Sequence, residues 1–282
     1  MRYVIAVGIL AIVVSAVVSA QSAVIQIEQA DALYDRWRQP FDFEAYEADL
    51  QMAIDLWEQA LPLIPAESIQ TTSHVLNRLS QAYFELGEAY LVSSDNKERA
   101  FGAGKDYALA SLRLDPVFDE TKDARGFRAA LLSASDVAAI FWYGNCLGSW
   151  LNYHQLTAIM GGVRDVLASY ERAVELDETL AGGGPHRSLG SLIAQAYFVI
   201  GRDQADCVAH FERAIEIDGT YIENLVNYAE HFAIRTGDAA LAAQLLSDVM
   251  QTAQDPEAVA AWPLYNHLAL ARAASLDGVE AP

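Results

Sequence analysis

The segment Tyr170-Glu-Arg-Ala-Val-Glu-Leu-Asp177 recurs almost letter for letter as Phe211-Glu-Arg-Ala-Ile-Glu-Ile-Asp218, 41 residues further along the chain. An aromatic residue and an alanine three positions later lie on one face of an α-helix. The large side chain fills the groove of a neighbouring helix, the small one lets the backbones approach, and Asp or Pro then ends the helix. Weaker copies lie upstream, as Trp57-Glu-Gln-Ala60 running to Pro65 and Tyr107-Ala-Leu-Ala110 running to Asp115-Pro116. Self-similarity built from helix pairs, at a period of roughly 34 to 45 residues, is the pattern of tetratricopeptide-like repeats. The expectation is an all-α, irregular tetratricopeptide-like array of about eleven or twelve helices with no credible strand. The irregularity is legible too. The reference aromatics at 57, 107, 170 and 211 are unevenly spaced, so extra turns or helices are inserted, and such insertions map to one face and can shape a cavity.

Gly and Pro are too few (17 and 8 of 282 residues) for a fibrous or disordered chain, and the formal net charge is −20. A surface of that sign repels phosphate backbones and anionic lipid headgroups, which argues against nucleic acid as a partner and against docking on a membrane by a basic face. Its plain role is solubility.

The first residues read as targeting rather than fold. Arg2 supplies a positive start, Val4 to Val18 is apolar but for Gly8 and Ser15, and Val18-Ser19-Ala20 offers small residues at a cleavage site. Residues 1–20 are therefore expected to be a signal peptide exporting a periplasmic protein, with 21–282 as a single helical-repeat domain. An uncleaved N-terminal helix anchoring the chain in the membrane is the alternative. No cysteine follows the apolar run, which leaves out a lipoprotein anchor. Cys146 and Cys207 fall inside helical patterns, and buried packing is the expected role of both. No histidine pair shows metal-ligand spacing, so no metal and no cofactor is expected.

Phe141-Trp142-Tyr143-Gly144-Asn145-x-Leu147-Gly148-x-Trp150 is a long, nearly uncharged helix pattern. Gly182-Gly183-Gly184-Pro185-His186-Arg187-x-Leu189-Gly190 breaks the chain and opens another helix. His210-Phe211-Glu212-Arg213-Ala214 then runs into Tyr221-x-x-Asn224 and Ala229-Glu230. In this order the three stretches resemble the T component (TatT) of tetratricopeptide-associated TRAP transporters, over roughly residues 40 to 275. The resemblance implies a periplasmic, all-helical, non-enzymatic accessory protein. It would work beside a periplasmic solute-binding protein that delivers an organic solute to the membrane transporter. A tunnel through each protomer and a homotrimer are implied likewise. The chain departs from many members in lacking their lipoprotein cysteine.

The candidate ligand-binding residues are Trp142, Tyr143, Asn145, Trp150, His186 and Arg187. The three aromatics suit an apolar wall that Asn145 makes locally polar, and their plain structural reading is core packing. His186 and Arg187 follow the glycine run at the start of a helix, where backbone N–H groups and a two-pronged guanidinium suit a carboxylate. The plain reading of Arg187 is a pair with one of the 38 acids. No nucleophile elbow, phosphate loop or dinucleotide fingerprint occurs, so an enzyme is not expected. The competing function is a general periplasmic repeat scaffold holding protein or peptide segments on aromatic anchors.

Overall fold

The structure is a computed structural model describing residues 19–38 and 41–276. These residues are 85% helical, and no strand occurs among them. Most of the expected signal peptide, residues 1–18, lies outside the described residues. No helix among the described residues is long and apolar enough to cross a membrane.

Residues 19–34 form α1, followed by a 3-10 turn Asp35–Arg38. Next come α2 (Phe43–Ala60), α3 (Ile69–Ala89), α4 (Ser94–Leu112), α5 (Pro116–Arg125), α6 (Phe127–Ser133) and α7 (Val137–Leu151). The short α8 (Gln155–Thr157) runs into a π-turn, Ala158–Gly162, and on to α9 (Val163–Asp177) and α10 (Leu180–Ile200). The described residues end with α11 (Asp206–Ile217), α12 (Ile222–Tyr228) with its π-turn Ala229–Ile234, α13 (Ala239–Thr252), α14 (Pro256–Ala261) and α15 (Pro263–Leu276). These outnumber the eleven or twelve expected. The surplus is mostly short helices, which too few residues encode for a 3.6-residue period to show.

Carboxylates start many of them. Asp42 Oδ1 accepts from the backbone N–H of Glu44 and Ala45, and Asp115 and Asp255 cap helices whose first residue is proline. Asp136 caps α7 through Ala139 N–H and also accepts from Ser73, Asn77 and Ser111, so one carboxylate fixes α3, α4 and α7 together.

Helices adjacent in sequence are adjacent in space: α3 packs on α4, both on α7, α7 on α9, α9 on α10, α10 on α11, and α12 on α13 and α15. Tyr170, Ala173, Phe211 and Ala214 are all buried between helices, as their spacing requires. Each aromatic sits in a notch left by a glycine. A Cβ on Gly144 would come within 2.8 Å of the Tyr170 ring, and one on Gly190 within 3.1 Å of Phe211. Gly87 in mid-α3 has the same office, since a Cβ there would lie 2.5 Å from the Phe101 ring. The close contact offsets the roughly 1 kcal/mol that a mid-helix glycine costs. On α4 the ring that meets this glycine is Phe101 and not Tyr107, the residue picked by the aromatic-x-x-Ala pattern. α4 runs further past this ring before the stop at Asp115-Pro116, and Tyr107 instead stacks on Tyr83 and donates to Glu58. The long gap between Tyr107 and Tyr170 is occupied by α5, α6, α7 and α8.

Two apolar clusters result. One joins α1, α2 and α3 around Tyr34, Leu50, Trp57 and Leu79 and takes in Leu264 of α15; the other spans α4 to α15. Cys146 and Cys207 are buried and free, and burial pushes their thiols up to about 12 and about 11.

Candidate functional site

Helix α7 carries the uncharged stretch, and its two faces do different things. At about 100° per residue, Phe141, Trp142, Asn145, Gly148 and Ser149 fall within one broad sector, whereas Tyr143 and Trp150 lie some 80–100° round from Trp142. The first sector borders a cavity of about 530 Å³ whose other walls come from α3, α9, α10, α12, α15 and the turn through Ala158. The second sector faces away. Tyr143 packs on Phe127 of α6, and Trp150 stacks on His154 beside Gly102 of α4, with the Lys105 ammonium over its ring. Trp142 meets Phe84 of α3 at 5.6 Å and Phe141 at 5.0 Å between ring centroids, forming an aromatic wall.

Asn145 is 8% exposed. Its Oδ1 accepts from Tyr170 Oη at 3.0 Å and from Ser188 Oγ at 3.2 Å, while the Nδ2 amide has no partner among the described residues.

Arg187 is positioned by the glycine run. Ala181, Gly182 and Gly183 adopt positive φ (50°, 61° and 82°), a left-handed turn that lays this backbone on α11. A Cβ on Gly183 would stand 3.0 Å from Ala214 Cα, so only glycine allows the approach. Pro185 then sits near the start of the right-handed part of α10, where its missing N–H is least costly. Arg187 is 6% exposed. Its Nη1 donates to Asn224 Oδ1 at 2.8 Å, its guanidinium lies over the Tyr221 ring at 4.3 Å, and its Nε is 3.6 Å from Glu223 Oε2. Nη2 has no hydrogen-bond partner among the described residues. Arg272 of α15 reaches the other oxygen of Glu223 at 3.2 Å and lies 3.4 Å from Glu230. Burial would raise the Glu223 carboxyl, but the two guanidiniums hold it below its usual range.

His186, one residue back and so about 100° round the helix, does not border the cavity. Its Nδ1 is 2.9 Å from His210 Nδ1 and its Nε2 is 3.0 Å from Glu178 Oε2, while Glu178 also accepts from Arg213. Those hydrogen bonds from Arg213 and His186 hold Glu178 down at about 2. Burial, then the neighbouring His186, lowers His210 to about 4.

Three of the six candidates, Trp142, Asn145 and Arg187, thus border one cavity; Tyr143, Trp150 and His186 border their own packing contacts instead. The sequence reading missed the acids. Glu85 is almost wholly buried, its Oε1 accepts from Tyr34 at 2.8 Å, from Gln81 at 2.9 Å and from Tyr265, and its Oε2 has no partner among the described residues. Burial raises its pKa. A signal was present, since Glu85 continues the apolar stripe Leu79, Ala82 at three-residue spacing. Glu88 follows at the same spacing, whereas Glu223 and Arg272 carried no signal, because the cavity they border joins helices far apart in sequence. No group of three or more potential metal ligands occurs among the described residues.

The sequence model of one protein family, the TRAP transporter T-component, matches residues 95–280. No curated protein matches the chain.

Proposed function

Because the chain belongs to the TRAP transporter T-component family, we propose that it is a non-catalytic accessory protein of a TRAP-type uptake system, acting in the periplasm beside a solute-binding protein. The interhelical cavity is the place where an organic solute is held in transit. Trp142 and Phe84 offer it an apolar wall, and Arg187 with Asn145 offers donors to a carboxylate. Tyr143, Trp150 and His186 support the frame. The single observation that supports this reading most is the cavity of about 530 Å³ with two partnerless donors on buried side chains, because buried donors are ordinarily satisfied. Pull-down from periplasmic extract tests the pairing. Recovery of a solute-binding protein whose gene neighbours this one is the expected result, and repeated failure to recover any such protein overturns it. Light scattering on the purified chain reads the homotrimer that the family resemblance implies.

A second reading has its own support. Leu156, Ile159 and Met160, on the segment that brings Ala158 to the cavity, are largely exposed. Apolar side chains presented to water suit a scaffold that holds protein segments. Recovery of varied unfolded or assembling clients in the same pull-down favours that reading.

A further inference from the structure

Some of the charged side chains that border the cavity pair with one another and others do not. Arg187, Glu223, Arg272 and Glu230 form a ladder of alternating sign in which each charge has an opposite neighbour. Glu88 of α3 also borders the cavity but stands outside the ladder. Its Oε1 accepts only from Ser149 Oγ, at 3.2 Å, and no Lys, Arg or His lies within ion-pair distance of it among the described residues. The environment of this carboxylate suits a cation. Phe84 and Trp142 border the same cavity, and ring faces attract ammonium groups. Glu88 is exposed overall and stands at the open side of the cavity; desolvation raises its carboxyl, against the opposing pull of Lys97 and Arg272 from beyond ion-pair distance.

The opposite requirement lies close by. Ser149, the partner of Glu88, follows Asn145 by four residues on α7, a rise of about 6 Å. Asn145 Nδ2 and Arg187 Nη2 are donors without partners among the described residues, and both residues are more than nine-tenths buried. An acceptor site for a cation therefore sits about one helical turn from a donor site for an anion. The molecule's net charge of −20 also disfavours the entry of a simple anion, whereas a solute of zero net charge meets no such barrier.

We propose that the cavity takes a zwitterionic solute, its amine held by Glu88 against the Phe84 and Trp142 rings and its carboxylate by Arg187 and Asn145. This rests on the reading of the cavity as a solute site and adds the cationic group. The matched probes are ε-aminocaproate, which carries both groups, caproate, which lacks the amine, and hexylamine, which lacks the carboxylate; γ-aminobutyrate shortens the separation. Isothermal titration calorimetry on the intact chain is expected to show ε-aminocaproate binding at least about tenfold more tightly than either single-charge probe, which is about 1.4 kcal/mol. Glu88→Gln keeps the shape and the contact with Ser149 but loses the charge. It is expected to remove most of that advantage while leaving caproate binding unchanged, with an unaltered melting temperature as the check on folding. Equal binding of caproate and ε-aminocaproate, or an advantage that survives Glu88→Gln, overturns the zwitterion and leaves the carboxylate cavity standing. If none of the probes binds, both readings fall.

Discussion

Glu85 shows what a single buried carboxyl does in this fold. One oxygen gathers hydroxyls from α1 and α15 and an amide from α3, so three helices distant in sequence converge on it. Glu85→Ala removes the acceptor of three inward-facing donors and is expected to cost about 2–4 kcal/mol in chemical denaturation. Glu85→Gln keeps an oxygen in place and is expected to cost less than half as much. The pH signature follows from the sign of the shift. Burial makes the folded protein hold this proton more tightly than an unfolded carboxyl of 4.5 does, so the group's contribution is complete below that pH and is lost as pH rises through its folded pKa. Glu85→Gln should abolish this loss, and melting curves across pH for the two proteins check it. Arg187 carries a different expectation. Replacement by Lys keeps the charge but loses the planar fork that serves Asn224, Glu223 and the Tyr221 face together. Caproate, the carboxylate probe, should then bind about three- to tenfold more weakly by calorimetry. Affinity equal to the parent's would place its carboxylate elsewhere.

Helices were legible because their signals are local, and the surfaces between them were not. The paired segments at 170–177 and 211–218 gave the right elements and the right buried faces, since aromatic-x-x-small is a property of one helix. The cavity depends on how α3, α7, α10, α12 and α15 meet, which no local period encodes. Within α7 the error was angular: Trp150 lies eight residues after Trp142, about 80° past two whole turns. That rotation puts one on the cavity and the other on His154. The glycine run was read as a break, and its left-handed turn explains why. Gly183→Ala should lower stability by about 2 kcal/mol or more, because the Cβ meets both an unfavourable φ and the Ala214 backbone. Gly201→Ala has positive φ but open space around it and should cost about 1 kcal/mol, from backbone strain alone. Comparing the two by denaturation separates contact from conformation. The α9–α10–α11 joint also holds the His186–His210 contact. Folded His210 stays neutral down to about 4 while an unfolded histidine takes up a proton near 6.5, so the unfolded state binds more protons in that window. Stability should fall there as pH falls, and His210→Gln should flatten that part of the stability curve.

At the scale of the whole molecule, the last helix of the described residues returns to the first ones. Phe43 stacks on His267, Leu264 enters the N-terminal apolar cluster, and Tyr265 donates to Glu85, so α15 closes on α1, α2 and α3. The family match begins at residue 95 and leaves those three helices out, yet α3 supplies Phe84, Glu85 and Glu88 to the cavity and covers the joint face of α4 and α7. Apolar faces that lose their cover return to water at about 25 cal/mol for each Å² exposed, and an array of this kind owes its stability to neighbour contacts. A chain trimmed to residues 95–282 exposes Ala100 and Phe101, buried beneath α3, and leaves Tyr265 without its acceptor. Such a fragment is expected to melt well below the intact protein, over a broader range, and to bind an apolar dye that the intact protein ignores. Binding of ε-aminocaproate should disappear with the aromatic and acidic wall that α3 provides. A fragment that keeps a sharp transition at the parent's temperature, and keeps the same affinity, would show that the matched segment builds the cavity unaided.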